Sequence, residues 1–169
     1  AAWVKILTPA QIAAVLRHGP EFLEAELRDL PERQRSIKSV VAQSWHRLTA
    51  AERAVFVRLT VFRGGFTLAA AQHVAGASLP TISALVSKSL VRRRLHERYT
   101  IYELLRHYAE IELDAAGQTA AACSAHCAYY ADFLEQCAAE ITSGRSPVLV
   151  QELAADLANV QAARQWALA

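Results

Sequence analysis

Alanine occupies 34 of the 169 positions, while only six glycines and five prolines interrupt the chain. Alanine has the highest helix propensity of all residues, and glycine and proline are the residues that break helices. A chain with this balance is expected to be mostly helical. The same balance argues against a collagen-like structure, long disorder or a large β-sandwich.

Several features of the chain favour a cytoplasmic protein that does not contact a membrane. The sequence has no run of about 18 apolar residues, and residues 1–5 lack the layout of a signal peptide. Three cysteines are an odd, low number that is typical of reduced thiols. Because the sequence has no methionine and starts and stops within helical patterns, we expect it to be a piece of a longer protein.

Charge is divided unevenly along the chain, although the net charge is only +2. Residues 1–48 carry seven basic and five acidic groups, residues 49–102 carry eight and two, and residues 103–169 carry three and nine. The net charges of the three segments are therefore +2, +6 and −6. This pattern predicts that the middle segment attracts either the acidic end of the chain or an external anion.

Three short helices are predicted in the basic middle segment. Thr49 and Glu52 have the spacing of a capping box, and the helix that they start is expected to reach Phe62. A second helix follows Thr67, and a third begins after Ser78 with proline in its first turn. The pattern then changes, because residues 90–95 and 99–102 are rich in β-branched and aromatic side chains, which predicts a two-stranded hairpin.

Three longer helices are predicted after the hairpin, over residues 103–116, 118–142 and 147–168. The last two are joined by a short linker and are expected to pack as an antiparallel pair. One face of the first of this pair carries Cys123, Cys127, Tyr130, Leu134 and Cys137. The periodicity of the last helix predicts that its buried face consists of Leu149, Leu153, Leu157 and Val160.

The order of three helices, a hairpin and a further helix is typical of a winged helix-turn-helix, flanked here by helical segments. Several segments along the chain then identify a family resemblance. They are LPERQRSI at 30–37, SWHRL at 44–48, VFRGGFTLAAA at 61–71, LVSKSL at 85–90, YTIYELLRHYA at 99–109, HCAYY at 126–130 and NVQAARQWAL at 159–168. In this order they resemble bacterial STAND-type signalling ATPases, the group of large AfsR/LuxR-type transcriptional regulators.

The resemblance implies a position within a longer architecture. Residues 1–48 correspond to the end of the helical domain, residues 49–113 to the winged helix, and residues 114–169 to the entry of a TPR-like superhelix. The chain has no P-loop sequence, so we expect no catalytic residues and no cofactor in it, although the parent protein is implied to bind ADP or ATP. The implied partners are the upstream nucleotide-binding domain and the downstream helical repeats.

One family motif falls at the junction of the hairpin and the next helix. Relatives carry Met-His-Asp there, and the histidine contacts the β-phosphate of ADP. The corresponding residues are Ile101, Tyr102 and Glu103, so a tyrosine replaces the histidine. A tyrosine hydroxyl can donate one hydrogen bond to phosphate but cannot carry a positive charge. Tyr102 and Glu103 are therefore the candidate nucleotide-proximal residues, with packing of Tyr102 in the hairpin as the alternative.

A basic surface is predicted on the hairpin and at the end of the third helix, formed by Lys88, Arg92, Arg93, Arg94 and Arg98. It could contact the upstream domain, contact DNA, or be a solvated face. The exposed positions predicted for the third helix lack the Arg, Asn and Gln side chains that read base edges with two hydrogen bonds. This composition suits phosphate contact better than base readout.

Other chemistry has little support in the sequence. Cys123, His126 and Cys127 share a helix face and could be metal ligands, but small buried residues of an alanine-rich helix explain them better, and we expect no metal site. We therefore expect a non-enzymatic regulatory module, whose winged helix couples the nucleotide state of the parent to a helical sensor. A DNA-binding winged helix and a helical protein-interaction module are the alternatives.

Overall fold

The structure is a computed structural model that describes residues 44–142 and 147–168. Its helices are α1 (Ala50–Arg58), α2 (Leu68–Ala75), α3 (Leu79–Ser87), α4 (Glu103–Ala115), α5 (Thr119–Thr142) and α6 (Pro147–Ala167). Its strands are β1 (Phe66–Thr67), β2 (Val91–Arg93) and β3 (Arg98–Ile101). The predicted fold class, mostly α with a winged helix-turn-helix, is confirmed. The helical segment predicted before residue 44 lies outside the described residues.

Side-chain caps begin the first three helices where the sequence predicts them. The Thr49 hydroxyl accepts from the Glu52 N–H at 3.2 Å, and the Glu52 carboxylate accepts from the Thr49 N–H at 2.7 Å. The hydroxyls of Thr67 and Ser78 cap α2 and α3 in the same way. Each cap satisfies a backbone donor that has no partner within the helix, so these boundaries are encoded locally.

The sheet has three antiparallel strands in the order β1-β3-β2, and not the two that the sequence predicts. The additional strand pairs Phe66 with Tyr99, after a turn in which both glycines have positive φ. A Cβ atom on Gly65 would lie 2.8 Å from the carbonyl oxygen of Tyr99. Glycine is therefore required for this close approach, and the pairing depends on a contact between residues that are distant in sequence.

Helix α1 ends at Arg58, earlier than predicted, and continues as a 3-10 turn over Leu59–Val61. The buried Arg106 guanidinium from α4 donates hydrogen bonds to the carbonyl oxygens of Thr60, at 2.8 Å, and Phe62. A side chain from another helix thus binds carbonyl groups that have no helical partner. The α1 end and α4 are joined by this contact in addition to apolar packing.

The buried face of α6 differs from the leucine face that the sequence predicts. Leu157 is 52% exposed, whereas Asp156 is 7% exposed and Asn159 and Ala163 are also buried. Leu157 is therefore wrongly predicted to be buried, whereas Leu153 and Val160 are half-buried. The most buried face of α6 instead carries polar groups, which bond to backbone carbonyl groups and an arginine, as described below. On α5, Tyr130 and Cys137 are buried, but Leu134, which the sequence places on the same face, is 38% exposed.

The described residues pack as one unit that begins at Ser44, with α5 in contact with α2 and with α6. The winged helix and the α5–α6 pair therefore share an interface. The limits given above for the three segments remain predictions. Among the helices that the structure describes, none is long and apolar enough to cross a membrane.

The tip of the hairpin has an unfavourable residue choice for its geometry. His96 and Glu97 both have positive φ, at 54° and 55°, and the Arg98 N–H donates to the Leu95 carbonyl at 3.4 Å. This is the geometry of a type I′ turn, for which Asn-Gly is strongly preferred. We expect Glu97→Gly to raise the free energy of unfolding by about 1 kcal/mol in urea denaturation, because it relieves left-handed strain.

Gly76 allows the reverse substitution, in which glycine is removed from a position with left-handed backbone geometry. It ends α2 with a φ of 66°, and an added Cβ would meet nothing within 4 Å. Gly76→Ala should therefore lower the unfolding free energy by about 1 kcal/mol, through strain alone. A stabilising effect of Gly76→Ala, or a destabilising effect of Glu97→Gly, would contradict the backbone geometry.

Candidate nucleic-acid interface

The outer face of α3 presents mainly small hydroxyl side chains. Ile82 and Leu85 anchor the helix in the core, which leaves Ser83 and Ser87 exposed on the opposite side. The Ser87 hydroxyl donates to the Ala84 carbonyl at 2.8 Å. Serine can accept or donate single hydrogen bonds, but it cannot make the paired contacts that distinguish one base pair from another. This face suits close approach to a nucleic-acid backbone more than sequence readout.

Three consecutive arginines lie on β2, which is in contact with α3, and at the start of the hairpin tip. Arg92, Arg93 and Arg94 are all exposed. Because successive side chains of a strand alternate, Arg92 and Arg94 lie on one side of the sheet and Arg93 on the other. The Arg94 Nε–H donates to the Thr100 hydroxyl at 3.4 Å, and within residues 44–142 and 147–168 none of the three forms a salt bridge.

The other two residues of the predicted basic surface are engaged inside the molecule. Lys88 Nζ lies 2.6 Å from a carboxylate oxygen of Glu52 and donates to the Arg47 carbonyl at 3.1 Å. The hydrogen bond from Lys88 is the largest cause of a lowered Glu52 pKa. Arg98 is paired with Asp156. The structure thus keeps three of the five predicted cations free for an external anion and commits Lys88 and Arg98 to internal acids.

Tyr102 and Glu103 lie where the sequence predicts them, at the junction of β3 and α4. Tyr102 is the N-cap residue and its side chain is exposed, so it does not pack within the hairpin core. Glu103 occupies the first turn of α4, where its charge is favourable to the helix dipole, and it accepts a hydrogen bond from Arg106 at 3.2 Å. A nucleotide contact through Tyr102 remains a prediction.

A buried polar cluster joins the hairpin to α5 and α6, and its centre is Asp156. The Arg98 guanidinium makes two parallel hydrogen bonds of 2.8 Å to the two carboxylate oxygens. Tyr130 donates its hydroxyl to the same carboxylate at 2.8 Å, and Asn159 donates its amide at 2.7 Å. Burial alone would raise the Asp156 pKa, but these three donors outweigh it and the pKa is lowered.

Asn159 extends the cluster to the turn before β1. Its amide nitrogen donates to the Gly65 carbonyl at 2.8 Å, and its amide oxygen accepts from the Arg63 N–H at 2.6 Å. Sequence reasoning missed Asp156 and Asn159 because it assigned the buried face of α6 by its leucines. Asp156, Asn159 and Ala163 are three and four residues apart, so they lie on one face of a helix. This spacing is the sequence signal that could have identified a buried face with polar residues.

The cysteines that the sequence considers as metal ligands lie on α5. Cys123 is half-buried, and burial raises the pKa of its thiol. The Cys127 thiol donates to the Ala163 carbonyl at 3.5 Å. The burial of Cys123 and this contact of Cys127 are those of packed helix residues. Among the residues that the structure describes, no three His, Cys, Asp or Glu side chains are grouped as metal ligands would be.

His126 is buried between aromatic rings, with 3% of its surface exposed and ring centroids 5.2 Å from Phe62 and 4.8 Å from Tyr130. Burial lowers its pKa, and this effect exceeds the opposing influence of a hydrogen bond with Asn159. The Arg63 charge also lowers the His126 pKa, and the Asp156 charge raises it. The neutral imidazole is therefore the form that the fold accommodates.

We expect His126 to make the fold less stable at acidic pH. The unfolded chain, with an ordinary histidine pKa of about 6.5, binds the proton more readily than the folded chain, so this contribution is lost as the pH falls below that value. His126→Leu should reduce the loss of unfolding free energy between pH 7 and pH 5, measured by urea denaturation. The exposed His46→Ala is the control. If the unfolding free energy has the same pH dependence in the unsubstituted protein and in both variants, His126 is not the source of the acid sensitivity.

We also expect Asp156→Ala to lower the unfolding free energy by about 3 kcal/mol or more, since it leaves a buried guanidinium without its anion. Asp132→Ala, at an exposed position on α5, should change it by less than about 0.5 kcal/mol. If urea denaturation shows that Asp156→Ala and Asp132→Ala lower the unfolding free energy by similar amounts, the polar cluster around Asp156 does not hold the helices together.

Comparison with known proteins finds relatives for most of the chain. No family model and no solved structure matches it. The chain is 34% identical over 128 residues to proteins of Mycobacterium bovis and Mycobacterium tuberculosis, each named as a candidate HTH-type transcriptional regulator. The match covers 70% of this chain but only 14% of each relative. The chain is thus similar, over most of its length, to a small part of these regulators.

Proposed function

We propose that the chain is a non-enzymatic module of a transcriptional regulator, and that its winged helix binds duplex DNA through the phosphate backbone. The observation that carries this proposal is the row of three exposed arginines, Arg92, Arg93 and Arg94, which project from the hairpin without an acidic partner among the described residues. The similarity to HTH-type transcriptional regulators supports it.

The placement of the helices is compatible with this role. Helix α5 packs against α2 and the 3-10 turn, and α6 joins α5 and the hairpin through the buried polar cluster, whereas α3 packs against α1 and β2. The outer face of α3 and the arginines of β2 are therefore accessible on one molecule at the same time. A winged helix that docks α3 toward a groove would bring the hairpin to the adjacent phosphates.

The chemistry of α3 limits what such binding can achieve. Its outer face offers serine hydroxyls, and in place of a base-reading side chain it exposes Leu79 and Pro80. Phosphate contacts fix the position of a protein on DNA but carry no direct sequence information. We therefore propose weak, sequence-tolerant binding, with sequence selection left to other parts of the parent protein.

A salt titration of binding to duplex DNA of mixed sequence tests the proposal. Non-specific binding of this kind has Kd values of about 10⁻⁴ to 10⁻⁶ M, and each phosphate contact contributes about −0.9 to the slope of log K against log salt. We expect Arg92→Gln, Arg93→Gln and Arg94→Gln each to weaken binding and to make the slope shallower by about 0.9.

Arg164→Gln is the matched control, because it removes one positive charge from an exposed position on α6, away from the hairpin. It should leave both the affinity and the slope unchanged. Binding that is equally sensitive to all four substitutions would reflect net charge alone. No binding at low salt would overturn the DNA proposal.

A second candidate function is supported by the surface of α3 and by the exposed junction at Tyr102. In this alternative, the hairpin arginines contact the nucleotide-binding domain of a STAND-type parent, and the winged helix couples the nucleotide state to the helical repeats. The lack of base-reading side chains favours it, because an interdomain contact needs none. Absence of DNA binding, together with salt-sensitive binding of the separately produced upstream domain, would support this alternative.

A further inference from the structure

The hairpin formed by β2 and β3 is anchored unevenly along its length. At its base, Val91 pairs with Ile101 across the two strands, and both side chains are buried. In the middle, Tyr99 stacks on Phe66 of β1, with ring centroids 6.0 Å apart. Toward the tip, every residue from 92 to 97 is exposed. Strands of three and four residues are marginally stable as an isolated pair, so the tip half needs an attachment other than burial.

The side chain of Arg98 attaches the tip half to α6. Its guanidinium makes the two parallel hydrogen bonds to Asp156, and it also donates to the carbonyl oxygens of Gly65, at 3.3 Å, and Ala155, at 3.2 Å. The exposed fractions of the two charged side chains are 14% for Arg98 and 9% for Asp156. A charge-assisted pair with two parallel bonds fixes the distance and the orientation of its partners. Asp156 therefore holds Arg98 in one position.

Arg98 also closes the turn of the hairpin through its backbone. Its N–H donates to the Leu95 carbonyl at 3.4 Å, and its carbonyl oxygen accepts from the Arg94 N–H at 2.7 Å. The two arginines before Arg94 pair with the two residues after Arg98 in the same ladder. The backbone of all three exposed arginines is therefore joined directly to the strand that Asp156 holds.

From this arrangement we propose that Asp156 is a positioning residue of the anion-binding hairpin, a role that rests on the DNA binding proposed above. By holding Arg98, it keeps the three exposed arginines in place for the phosphates of duplex DNA. Asp156 lies on α6, 58 residues from Arg98 in the sequence, so the affinity of the hairpin for DNA depends on the contact of α6 with the winged helix. A protein whose binding-competent arrangement is populated for only part of the time binds more weakly in proportion to that fraction.

Charge and position predict opposite effects when this carboxylate is removed. Asp156→Asn makes the chain more positive, which by long-range attraction alone would strengthen its binding to DNA. The same substitution replaces one of the two oxygens that accept from Arg98 with an amide nitrogen, which cannot accept. If Asp156 positions the hairpin, its loss weakens DNA binding although the net charge has become more favourable.

The experiment measures binding of the 169-residue chain to duplex DNA of mixed sequence over a salt titration. Asp156→Asn should raise the Kd about tenfold, as for a hairpin that is in place for about one-tenth of the time. The slope of log K against log salt should stay unchanged, because the three exposed arginines are all still present. A Kd that falls or stays the same would overturn the positioning role. A slope steeper by about 0.9 would also overturn it, since the released Arg98 would then itself bind phosphate.

Arg98→Lys keeps the test decisive if Asp156→Asn does not fold. Lysine retains the positive charge of the hairpin, but it lacks the planar fork that makes two parallel hydrogen bonds to a carboxylate. Arg98→Lys should therefore raise the Kd by a similar factor, again with an unchanged slope. The two substitutions together should raise the Kd about as much as either one alone, because both act on the same pair.

Two control variants separate position from charge and from overall stability. Asp132→Asn removes an acidic charge from an exposed position on α5, and it should not weaken DNA binding. Gly76→Ala destabilises the chain at the end of α2, outside the hairpin, and it should leave the Kd unchanged under conditions where circular dichroism shows a folded protein. If Gly76→Ala weakens DNA binding as much as Asp156→Asn does, overall stability explains the effect and the positioning role is wrong.

Hydrogen exchange of the hairpin amides tests the positioning itself, without DNA. Exchange in β2 and β3 should be faster in Asp156→Asn and Arg98→Lys than in the unsubstituted protein, and unchanged in Asp132→Asn. Unchanged exchange in both variants of the pair would overturn the inference even if the chain binds DNA. Faster exchange in these variants, together with no DNA binding by the unsubstituted chain, would overturn the DNA function and leave Asp156 as the residue that positions the hairpin.

Discussion

The carboxylate of Asp156 holds together parts of the chain that are distant in sequence. It binds an arginine from β3, a tyrosine from α5 and an asparagine from its own helix. A buried carboxylate without these donors would cost several kcal/mol, so the hairpin, the turn before β1 and the two last helices are constrained to meet at one point. The position of α6 on the winged helix therefore depends on directional bonds as well as on burial.

The uneven distribution of charge along the sequence has two consequences in the folded chain. One is internal, because Arg98 from the basic segment pairs with Asp156 from the acidic segment. The other is external, because Arg92, Arg93 and Arg94 remain exposed on the same hairpin. The hairpin thus binds the acidic helices through one arginine and keeps three other arginines accessible to an anion.

His126 adds ring packing to the polar contacts between the helical pair and the winged helix. Its ring lies 4.8 Å from that of Tyr130 on α5 and 5.2 Å from that of Phe62, which precedes β1. Burial lowers the pKa of its imidazole, so the neutral ring is the form that this packing accommodates.

The sequence by itself determined the features that depend on near neighbours. The caps at Thr49, Thr67 and Ser78 follow from side chains that bond to backbone groups a few residues away. Gly76 ends α2 because glycine adopts the left-handed conformation without a steric penalty, and the hairpin follows from its β-branched and aromatic residues. Only the tertiary structure decided the third strand, the polar buried face of α6 and which cations stay free. These features require groups separated by 30 to 100 residues to meet, as Arg63 and Asn159 do, and periodicity along one helix carries no information about the chemistry of the surface it packs against.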